Sequence, residues 1–325
     1  MKTIRNLVLA MAGACIGFTH TIAIAQGAAA YPNKLIKIVV PFPPGGATDI
    51  MTRNIAQKLG EAWKQPVIVE NRPGANGTIG ADAVAKSPPD GYTLLAATIA
   101  HSANVSLFPK TPYQFQRDLQ PVAIMGLIPL VPVVRANSTI RSLQDLVDTA
   151  KRQNLNAGSG GNGTAHHLTL ELFKNVTGAP IQHIPYKGGA QAMTDLLGGQ
   201  IDVIFSLLPE CLPHIKSGKL QALAVTSDAR HPLLPDVPTT AEAGVPGVSV
   251  TSWNGLMVPS GTPKEIVSKI NADVLSIIAA PEMRARIIEQ GFQPGTLSVS
   301  DTEKFVKADV ERWTKVIREA HITAD

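Results

Sequence analysis

Short apolar runs that are rich in β-branched residues alternate along the chain with patterns typical of amphipathic helices. The runs predict strands at residues 36–40, 67–70, 93–97, 131–134, 181–184, 203–207 and 222–226. Two helical patterns repeat an apolar residue at every fourth position: Met51, Ile55, Leu59 and Trp63, and then Leu168, Leu172 and Val176. Such alternation is typical of parallel sheets covered by helices, which bind ligands at the carboxyl ends of their strands. The pattern therefore predicts an α/β protein with a ligand site at a sheet edge.

The last third of the chain has a different pattern. Residues 250–258 form one long extended run, and helical patterns follow at 263–279, 281–290 and 302–320. These helices need a sheet to cover, so we assign them to the sheet formed by the first part of the chain.

This assignment predicts two lobes with a ligand cleft between them. The chain would cross from one lobe to the other near residues 123–130 and return near residues 247–253. We expect lobe 1 to comprise residues 26–126 plus 251–325, and lobe 2 to comprise residues 127–250.

The N-terminus has the pattern of a secretory signal peptide. A basic start (MKTIR) precedes an apolar segment at residues 7–24, and the small residues AIA at 23–25 provide a cleavage site. We expect cleavage near Ala25, so that the exported chain starts at Gln26. An alternative interpretation makes Cys15 a lipid attachment site.

Length, charge and cysteine content narrow the classes of function. The chain has 325 residues, which suits two domains of ordinary size after the signal is removed. Removal of the signal lowers the formal net charge from +4 to +2, which is too little for nucleic-acid binding by bulk charge. Of the two cysteines only Cys211 remains after cleavage, so an intrachain disulfide is impossible. We expect no nucleic-acid partner.

The first of two glycine-rich turns, residues 41–49 (PFPPGGATD), leads from the first predicted strand into a helical pattern. A helix start is an anion site, because its first N–H groups have no partner inside the helix and the helix dipole favours negative charge there. Gly45 and Gly46 let the backbone approach a ligand closely. Thr48 suits the helix N-cap, and Asp49 suits the first turn. This segment has no Lys, Arg or His, so backbone groups would hold the anion.

The second glycine-rich turn, residues 155–164 (LNAGSGGNGT), also lies between a strand and a helix. It contains the dinucleotide-binding pattern GxGxxG at 158–163, but the next strand ends at 183–186 without the carboxylate that would bind a ribose. No Lys-Ser/Thr pair follows the glycines, which excludes a P-loop. Two such turns without a nearby nucleophile–base pair indicate a protein that holds an anion and does not transform it. We expect no cofactor.

A secreted serine hydrolase is the alternative function. The segment AGSGG is close to a nucleophile elbow, with Ser159 as the nucleophile. Asp202 or Asp228, together with His231, follows in the chain order that a triad would need. The plainer interpretation is that Ser159 and Thr164 donate hydroxyl hydrogen bonds to a ligand carboxylate.

Three histidines lie near the predicted site. His166 and His167 are adjacent at a helix start, point about 100° apart and so do not share a metal ion in the usual way. No His-x-x-x-His motif or cysteine pair accompanies them, so we expect no metal site. The pair lies either beside the cleft or simply in solvent. His101 follows the strand at 93–97 and either faces the ligand or hydrogen-bonds its own loop.

Blocks of sequence spread over the whole exported chain resemble one family. The blocks are 31–32 (YP), 36–49 (IKIVVPFPPGGATD), 69–77 (VENRPGANG), 89–95 (PDGYTLL), 185–188 (PYKG), 212–220 (LPHIKSGKL), 222–226 (ALAVT) and 259–263 (PSGTP). They are similar to the Bug proteins, the extracytoplasmic solute receptors of tripartite tricarboxylate transporters. The resemblance implies a periplasmic receptor with a two-lobed Venus-flytrap fold that binds a small organic acid and is not an enzyme. It also implies transporter membrane components or a membrane sensor as partners, and we expect a monomer.

The resemblance places the ligand carboxylate between the two glycine-rich turns, held largely by backbone groups and ordered water. In lobe 1, the implied ligand-binding residues are Phe42, Gly45, Gly46, Thr48, Asp49, Asn76, Gly77, Thr98 and His101. In lobe 2, they are Ser159, Gly160, Asn162, Gly163, Thr164, Tyr186 and Ser206, with Lys187 near the rim. Many family members have an acid in place of Ser206 that could receive a ligand amino group. Its absence here favours a plain carboxylic acid.

Overall fold

The computed structural model describes residues 31–323, and the expected signal peptide lies outside them. The strands are β1 (Ile36–Val40), β2 (Val67–Asn71), β3 (Thr93–Thr98), β4 (Leu119–Arg135), β5 (Leu155–Ser159), β6 (Ile181–Pro185), β7 (Val203–Leu207), β8 (Leu220–Ala222), β9 (Thr251–Pro259) and β10 (Gln293–Pro294). The helices are α1 (Ala47–Trp63), α2 (Thr78–Ala85), α3 (Ile99–Leu107), α4 (Phe115–Asp118), α5 (Leu143–Ala150), α6 (Ala165–Thr177), α7 (Gly189–Gly198), α8 (Leu208–Lys216), α9 (Lys264–Ala279), α10 (Pro281–Glu289) and α11 (Val299–Glu319). This alternation confirms the α/β class. None of these helices combines the length and the apolar composition that a membrane crossing requires.

The strands of residues 31–323 form one ten-stranded sheet. Its order is β2-β1-β3-β9-β4-β7-β5-β6, and β8 and β10 pair with β4 outside this path. β1 pairs in parallel with β2 and β3, while β5 pairs in parallel with β6 and β7. The antiparallel pair β9 and β4 lies between these two parallel groups. Within each group the carboxyl ends of the strands, and the helix starts that follow them, share one edge.

Strand β4 joins the two parallel groups. Residues 119–129 pair with β9, and residues 130–133 pair with β7. The hydrophobic core changes at the same place, because Ile128 packs in the core around β1 whereas Val131 packs in a core that includes β7 residues. The predicted first crossing near residues 123–130 falls within this strand. The lobe boundaries expected from the sequence stay a prediction.

The C-terminal helices pack back onto the first parallel group. α9 and α11 contact β4, and α11 also contacts α3. The Trp253 indole N–H on β9 donates to Asp309 of α11 at 2.8 Å. The Asn271 side chain of α9 donates to the Val122 carbonyl of β4 at 2.8 Å. Trp313 of α11 is fully buried in the core around β1, so the apolar stripe of this helix has the sheet that it needs to cover.

The strand predicted at 222–226 differs from the strand in the structure. β8 covers residues 220–222 and pairs with residues 133–135 of β4. The next residue of β4 in the ladder is Pro132, whose carbonyl accepts from the Leu223 N–H at 2.9 Å. Proline has no N–H to donate back across the ladder. Regular pairing therefore ends at Ala222.

Thr226 ties together the segments by which the chain passes between the two parallel groups. Its N–H donates to the Leu130 carbonyl of β4 at 2.9 Å, and its carbonyl accepts from the Val250 N–H at 3.0 Å. Its hydroxyl accepts from the Leu130 N–H at 2.9 Å and donates to the Val250 carbonyl at 2.5 Å. Thr226 has no exposed surface, so water does not replace any of these bonds.

We expect Thr226→Val to lower the free energy of unfolding. Valine keeps the shape of threonine, but it leaves the Leu130 N–H and the Val250 carbonyl without the hydroxyl. A buried polar group that loses its partner costs about 1–3 kcal/mol. Urea denaturation followed by circular dichroism measures the change. Thr226→Ser keeps the hydroxyl and is the control; an equal loss in both variants would contradict this account.

Candidate functional site

A cavity of about 410 Å³ lies at the carboxyl ends of strands from both parallel groups. The residues that follow β1, β3, β5, β6 and β7 line it, together with two residues of β9. Seven residues expected from the sequence line this cavity: Phe42, Gly46, Thr48, Asp49, Thr98, Gly160 and Thr164. The structure thus brings the two glycine-rich turns to one cavity, although residues 49 and 160 are far apart in the chain.

A second cavity, of about 700 Å³, lies beside the first. The two share Phe42, Pro43, Gly160 and Lys187 in their linings. Four more of the expected residues line the second cavity: Asn76, Gly77, Asn162 and Tyr186. The expected ligand-binding residues are therefore divided between two adjoining spaces, with the exposed Lys187 bordering both.

Five of the expected residues line neither cavity: Gly45, His101, Ser159, Gly163 and Ser206. His101 is fully buried, and its Nδ1 accepts from the Thr98 N–H at 3.1 Å. Of the two roles left open for His101, the structure therefore shows the bond to its own loop. The Ser206 hydroxyl donates to the Leu207 carbonyl at 3.2 Å and is also fully buried.

The first glycine-rich turn is built around the Asp49 carboxylate. This carboxylate accepts from the Gly45 N–H at 3.0 Å, from Arg53 at 2.9 Å and from Asn71 at 2.9 Å. Burial acts to raise the pKa of Asp49, but the hydrogen bonds from Arg53, Gly45 and Asn71 together hold it below its ordinary value. Asp49 thus fixes the shape of the turn. The Arg53 head group pairs with it on the helix surface, half exposed.

The N-cap of α1 is Gly46 and not Thr48, which corrects the expectation from sequence. Gly46 has φ −78° and ψ 168°, and Ala47 is the first helical residue. The Thr48 hydroxyl, inside the helix, accepts from the Asn254 side chain of β9 at 2.9 Å. A capping hydroxyl does occur in the next strand–helix junction, where Thr98 accepts from the Ala100 N–H at 3.2 Å at the start of α3.

In the second glycine-rich turn, the hydroxyls stabilise the turn itself. The Thr164 hydroxyl donates to the Gly161 carbonyl at 2.7 Å, and Ser159 Oγ lies 3.2 Å from the same oxygen. The Gly161 N–H donates to Ser159 Oγ at 3.0 Å. Gly161 and Gly163 have φ of 121° and 76°, a region that favours glycine. The expected hydroxyl donation to a ligand is therefore replaced here by bonds within the loop.

The serine hydrolase alternative is not supported. Ser159 is fully buried and lines neither cavity. The side chains proposed as its partners make other bonds: Asp202 accepts from the Asn156 N–H at 2.8 Å, Asp228 from Ser249 at 2.7 Å, and His231 from the Leu233 N–H at 3.2 Å. The histidine that Ser159 does contact is His183, at 2.6 Å. His183 stacks on His167 with ring centroids 4.2 Å apart, so the two rings pack together against the second glycine-rich turn.

Sequence reasoning missed a buried acid in the first cavity. Glu210, in the first turn of α8, accepts from the Ala47 N–H at 3.3 Å through Oε1. Its Oε2 lies 2.9 Å from Nε2 of His166. The side chains of His166 and Glu210 are 5% and 8% exposed. The junction of β7 and α8 has no glycine-rich turn, so the signal that marked the other two junctions is missing there; the remaining signal is a helix that begins directly after a strand, with Glu210 in its first turn.

The described part of the chain contains no group of three or more His, Cys, Asp or Glu side chains arranged to hold a metal ion. His166 lines the first cavity at a helix start, whereas His167 accepts from the Gly163 N–H at 3.0 Å behind the turn. The two adjacent histidines therefore have separate roles.

Three histidines with lowered pKa values make stability depend on pH. Burial lowers the pKa of His101, His167 and His183 to about 4 each, from an ordinary value of 6.5. The unfolded chain therefore binds more protons than the folded chain between these two values, and the free energy of unfolding falls as pH falls through that window. One pKa unit corresponds to about 1.4 kcal/mol.

We expect the urea midpoint to fall between pH 7.5 and pH 4.5 by an amount equivalent to about 2 kcal/mol or more. Urea titrations at a series of pH values measure it. His101→Asn removes one titrating ring while keeping an acceptor for the Thr98 N–H. It should make the urea midpoint depend less steeply on pH. His321→Asn, at an exposed position, is the control. A midpoint that is independent of pH in this window would contradict the account.

Comparison with known proteins identifies the chain's relatives. The family described as tripartite tricarboxylate transporter family receptor matches residues 51–322. The structure of Rpa4515 from R. palustris with adipate is 36% identical, with a TM-score of 0.87 over 90% of this chain and 99% of that one. MatC from Rhodopseudomonas palustris with bound malate is 31% identical, with a TM-score of 0.84 over 88% and 100%. The periplasmic binding protein BugD is 32% identical, with a TM-score of 0.85 over 90% and 99%.

These neighbours confirm the expected two-lobed periplasmic-binding-protein fold. They also confirm the resemblance to the Bug proteins that the sequence blocks indicated. The chain belongs to the receptor family of the tripartite tricarboxylate transporters.

Proposed function

We propose that this protein is a periplasmic receptor that captures one small organic acid in the cavity lined by both glycine-rich turns. The observation that carries the proposal is the convergence of helix starts on that cavity. The first residues of α1, α3, α6 and α7 all line it. Each helix start offers N–H groups that have no partner inside the helix, together with the positive end of the helix dipole.

The chemistry of the lining supports binding of an acid through backbone groups. Lys187 is the only Lys or Arg among the residues that line the first cavity, and it is exposed at the border with the second. Phe42, Pro43 and Leu207 provide apolar surface for the carbon chain of a ligand. The volume of about 410 Å³ is within the usual range for sites that bind small molecules.

The ligands of relatives support the same class of ligand. Rpa4515 is seen with adipate and MatC with malate, and both are small carboxylic acids. We propose that the ligand lies against Gly46, Thr98, Gly160 and Thr164 in the first cavity. Asn76, Gly77, Asn162 and Tyr186 then contact only a ligand long enough to reach the second cavity. No ligand contact is proposed for the five expected residues outside both cavities.

The lobes are proposed to comprise residues 26–126 with 251–325, and residues 127–250. The change of partners along β4 and the bonds of Thr226 to the segments on either side support this division. We propose that the receptor works as a monomer that delivers its ligand to the membrane components of a tripartite tricarboxylate transporter, or to a membrane sensor.

Export is proposed to remove residues 1–25. The basic start, the apolar segment and the small residues at 23–25 support this step. We expect N-terminal sequencing of the protein from the periplasm to begin at Gln26. Full-length protein in the cytoplasm would contradict export, and a lipid on Cys15 would replace cleavage at Ala25.

A thermal-shift screen of small mono-, di- and tricarboxylic acids tests the function, and calorimetry then measures the dissociation constants. A ligand present at 100 times its dissociation constant stabilises the folded state by about 2.7 kcal/mol. We expect at least one acid to give a saturable shift. A screen in which no carboxylic acid binds would contradict the proposal.

Gly46→Val tests the place of binding. The backbone at Gly46 is in the β region and accepts valine without strain. A β-carbon there would lie 3.4 Å from Glu210 Oε1, so the branched side chain fills the cavity beside the α1 start. We expect affinity to fall about tenfold or more, which corresponds to about 1.4 kcal/mol. Gly198→Val, where a β-carbon meets open space, is the matched control. If the unchanged protein, Gly46→Val and Gly198→Val all bind the ligand with equal affinity, the ligand binds elsewhere.

A further inference from the structure

Two buried side chains that line the first cavity each have a polar atom without a hydrogen-bond partner. Asn254 is 1% exposed, and its Nδ2 donates to Thr48 while its Oδ1 has no partner. His166 is 4% exposed, and its Nδ1 has no partner. A carboxylate offers about four lone-pair sites, and only two contacts to Glu210 oxygens are made here, from Ala47 and His166. All three side chains line the cavity.

Part of this cavity wall can only accept hydrogen bonds. The Asn254 Oδ1 and the unused lone pairs of the Glu210 carboxylate are acceptors. The His166 Nε2–H faces Glu210, because a carboxylate only accepts. Buried polar groups are normally satisfied, and a ligand that fills this part of the cavity has to bring donors to do so. A carboxylate brings none, and close to Glu210 it would also meet a like charge.

We propose that Glu210 receives the ammonium group of the ligand, so that the receptor selects an amino-substituted carboxylic acid over the unsubstituted acid. The ligand carboxylate is left to the starts of α3, α6 and α7, while its ammonium group lies against the Glu210 carboxylate, which already occupies the start of α1. This rests on the proposed function and names the ligand class of the same cavity.

Glu210 supplies the acid that the sequence comparison expected at position 206. Ser206 is fully buried, bonds to the Leu207 carbonyl and lines neither cavity. The acid that could meet an amino group is present four residues later, on the first turn of α8. The absence of an acid at 206 therefore does not favour a plain acid in this chain.

Glu210 is held in place by groups from three separate elements. The Ala47 N–H belongs to α1, and His166 belongs to α6. Gly189, the first residue of α7, packs so closely that a β-carbon there would overlap the carboxylate. If a ligand carboxylate displaced Glu210 from the α1 start, the His166 Nε2–H would lose its acceptor in a buried place. We therefore favour a Glu210 carboxylate that stays in place and binds a cation. The alternative is a carboxylate that is displaced when a ligand anion binds.

Pairs of acids that differ only by a 2-amino group test the proposal by calorimetry on the exported protein. The probes are adipate and 2-aminoadipate, glutarate and glutamate, and succinate and aspartate. We expect the amino member of at least one pair to bind about tenfold or more tightly, as charge-assisted hydrogen bonds predict. Glu210→Gln should remove this preference while leaving the affinity for the unsubstituted acid equal or higher, because the like charge is gone.

Two further variants separate the charge of Glu210 from its position. Glu171→Gln changes an acid that lies 3.8 Å from His167 but lines neither cavity, and it should keep the preference. Gly189→Ala keeps the charge of Glu210 but pushes the carboxylate aside, and it should weaken the preference.

Three outcomes would overturn the proposal. If acids bind without any preference for the amino member, Glu210 is no ammonium receptor, although the carboxylate receptor function stands. If the unsubstituted acid binds more tightly than the amino member and Glu210→Gln further increases its affinity, the Glu210 carboxylate occupies the place of the ligand anion. If no acid of any pair or of the wider screen binds, the proposed function fails as well.

Discussion

The site depends on backbone N–H groups at the starts of helices, and the sheet determines where these helix starts lie. In a parallel group the strands end at a common edge, so the helices that follow begin there too. The sheet of residues 31–323 has two such groups, joined through β4 and β9. As a result α1, α3, α6 and α7 all start at one cavity, and an anion can be bound there with little help from basic side chains.

The local parts of this arrangement could be predicted from the sequence, and the long-range parts could not. Glycine-rich turns between an apolar strand and a helical pattern have a signal that extends over about ten residues. Both turns were recognised in this way, and both line the cavity. The contact between Ala47 and Glu210 joins positions separated by 163 residues. No local pattern reports such a contact, because it exists only after the two parallel groups have come together.

Hydroxyl groups show a second limit of sequence reasoning. Ser159 and Thr164 stand in a turn that faces a ligand cavity, which made them natural donors to a carboxylate. In the structure both hydroxyls lie within hydrogen-bond distance of the Gly161 carbonyl. Ser and Thr side chains commonly hydrogen-bond to backbone groups of their own turn, and these two hydroxyls do so here. Residue type identified the loop correctly, but only the backbone geometry shows which atoms are used within it.

The histidines of this chain are divided by the same geometry into supporting and lining groups. His167 and His183 stack behind the second turn, where His167 accepts from the Gly163 N–H and His183 meets the Ser159 hydroxyl. Burial keeps the pKa of both rings low, so they pack behind the turn as neutral hydrogen-bonding partners. His166, one residue earlier than His167, points instead into the cavity and holds Glu210. Adjacent positions at a helix start face different directions, which allows His167 to support the second glycine-rich turn while His166 contacts the acid inside the cavity.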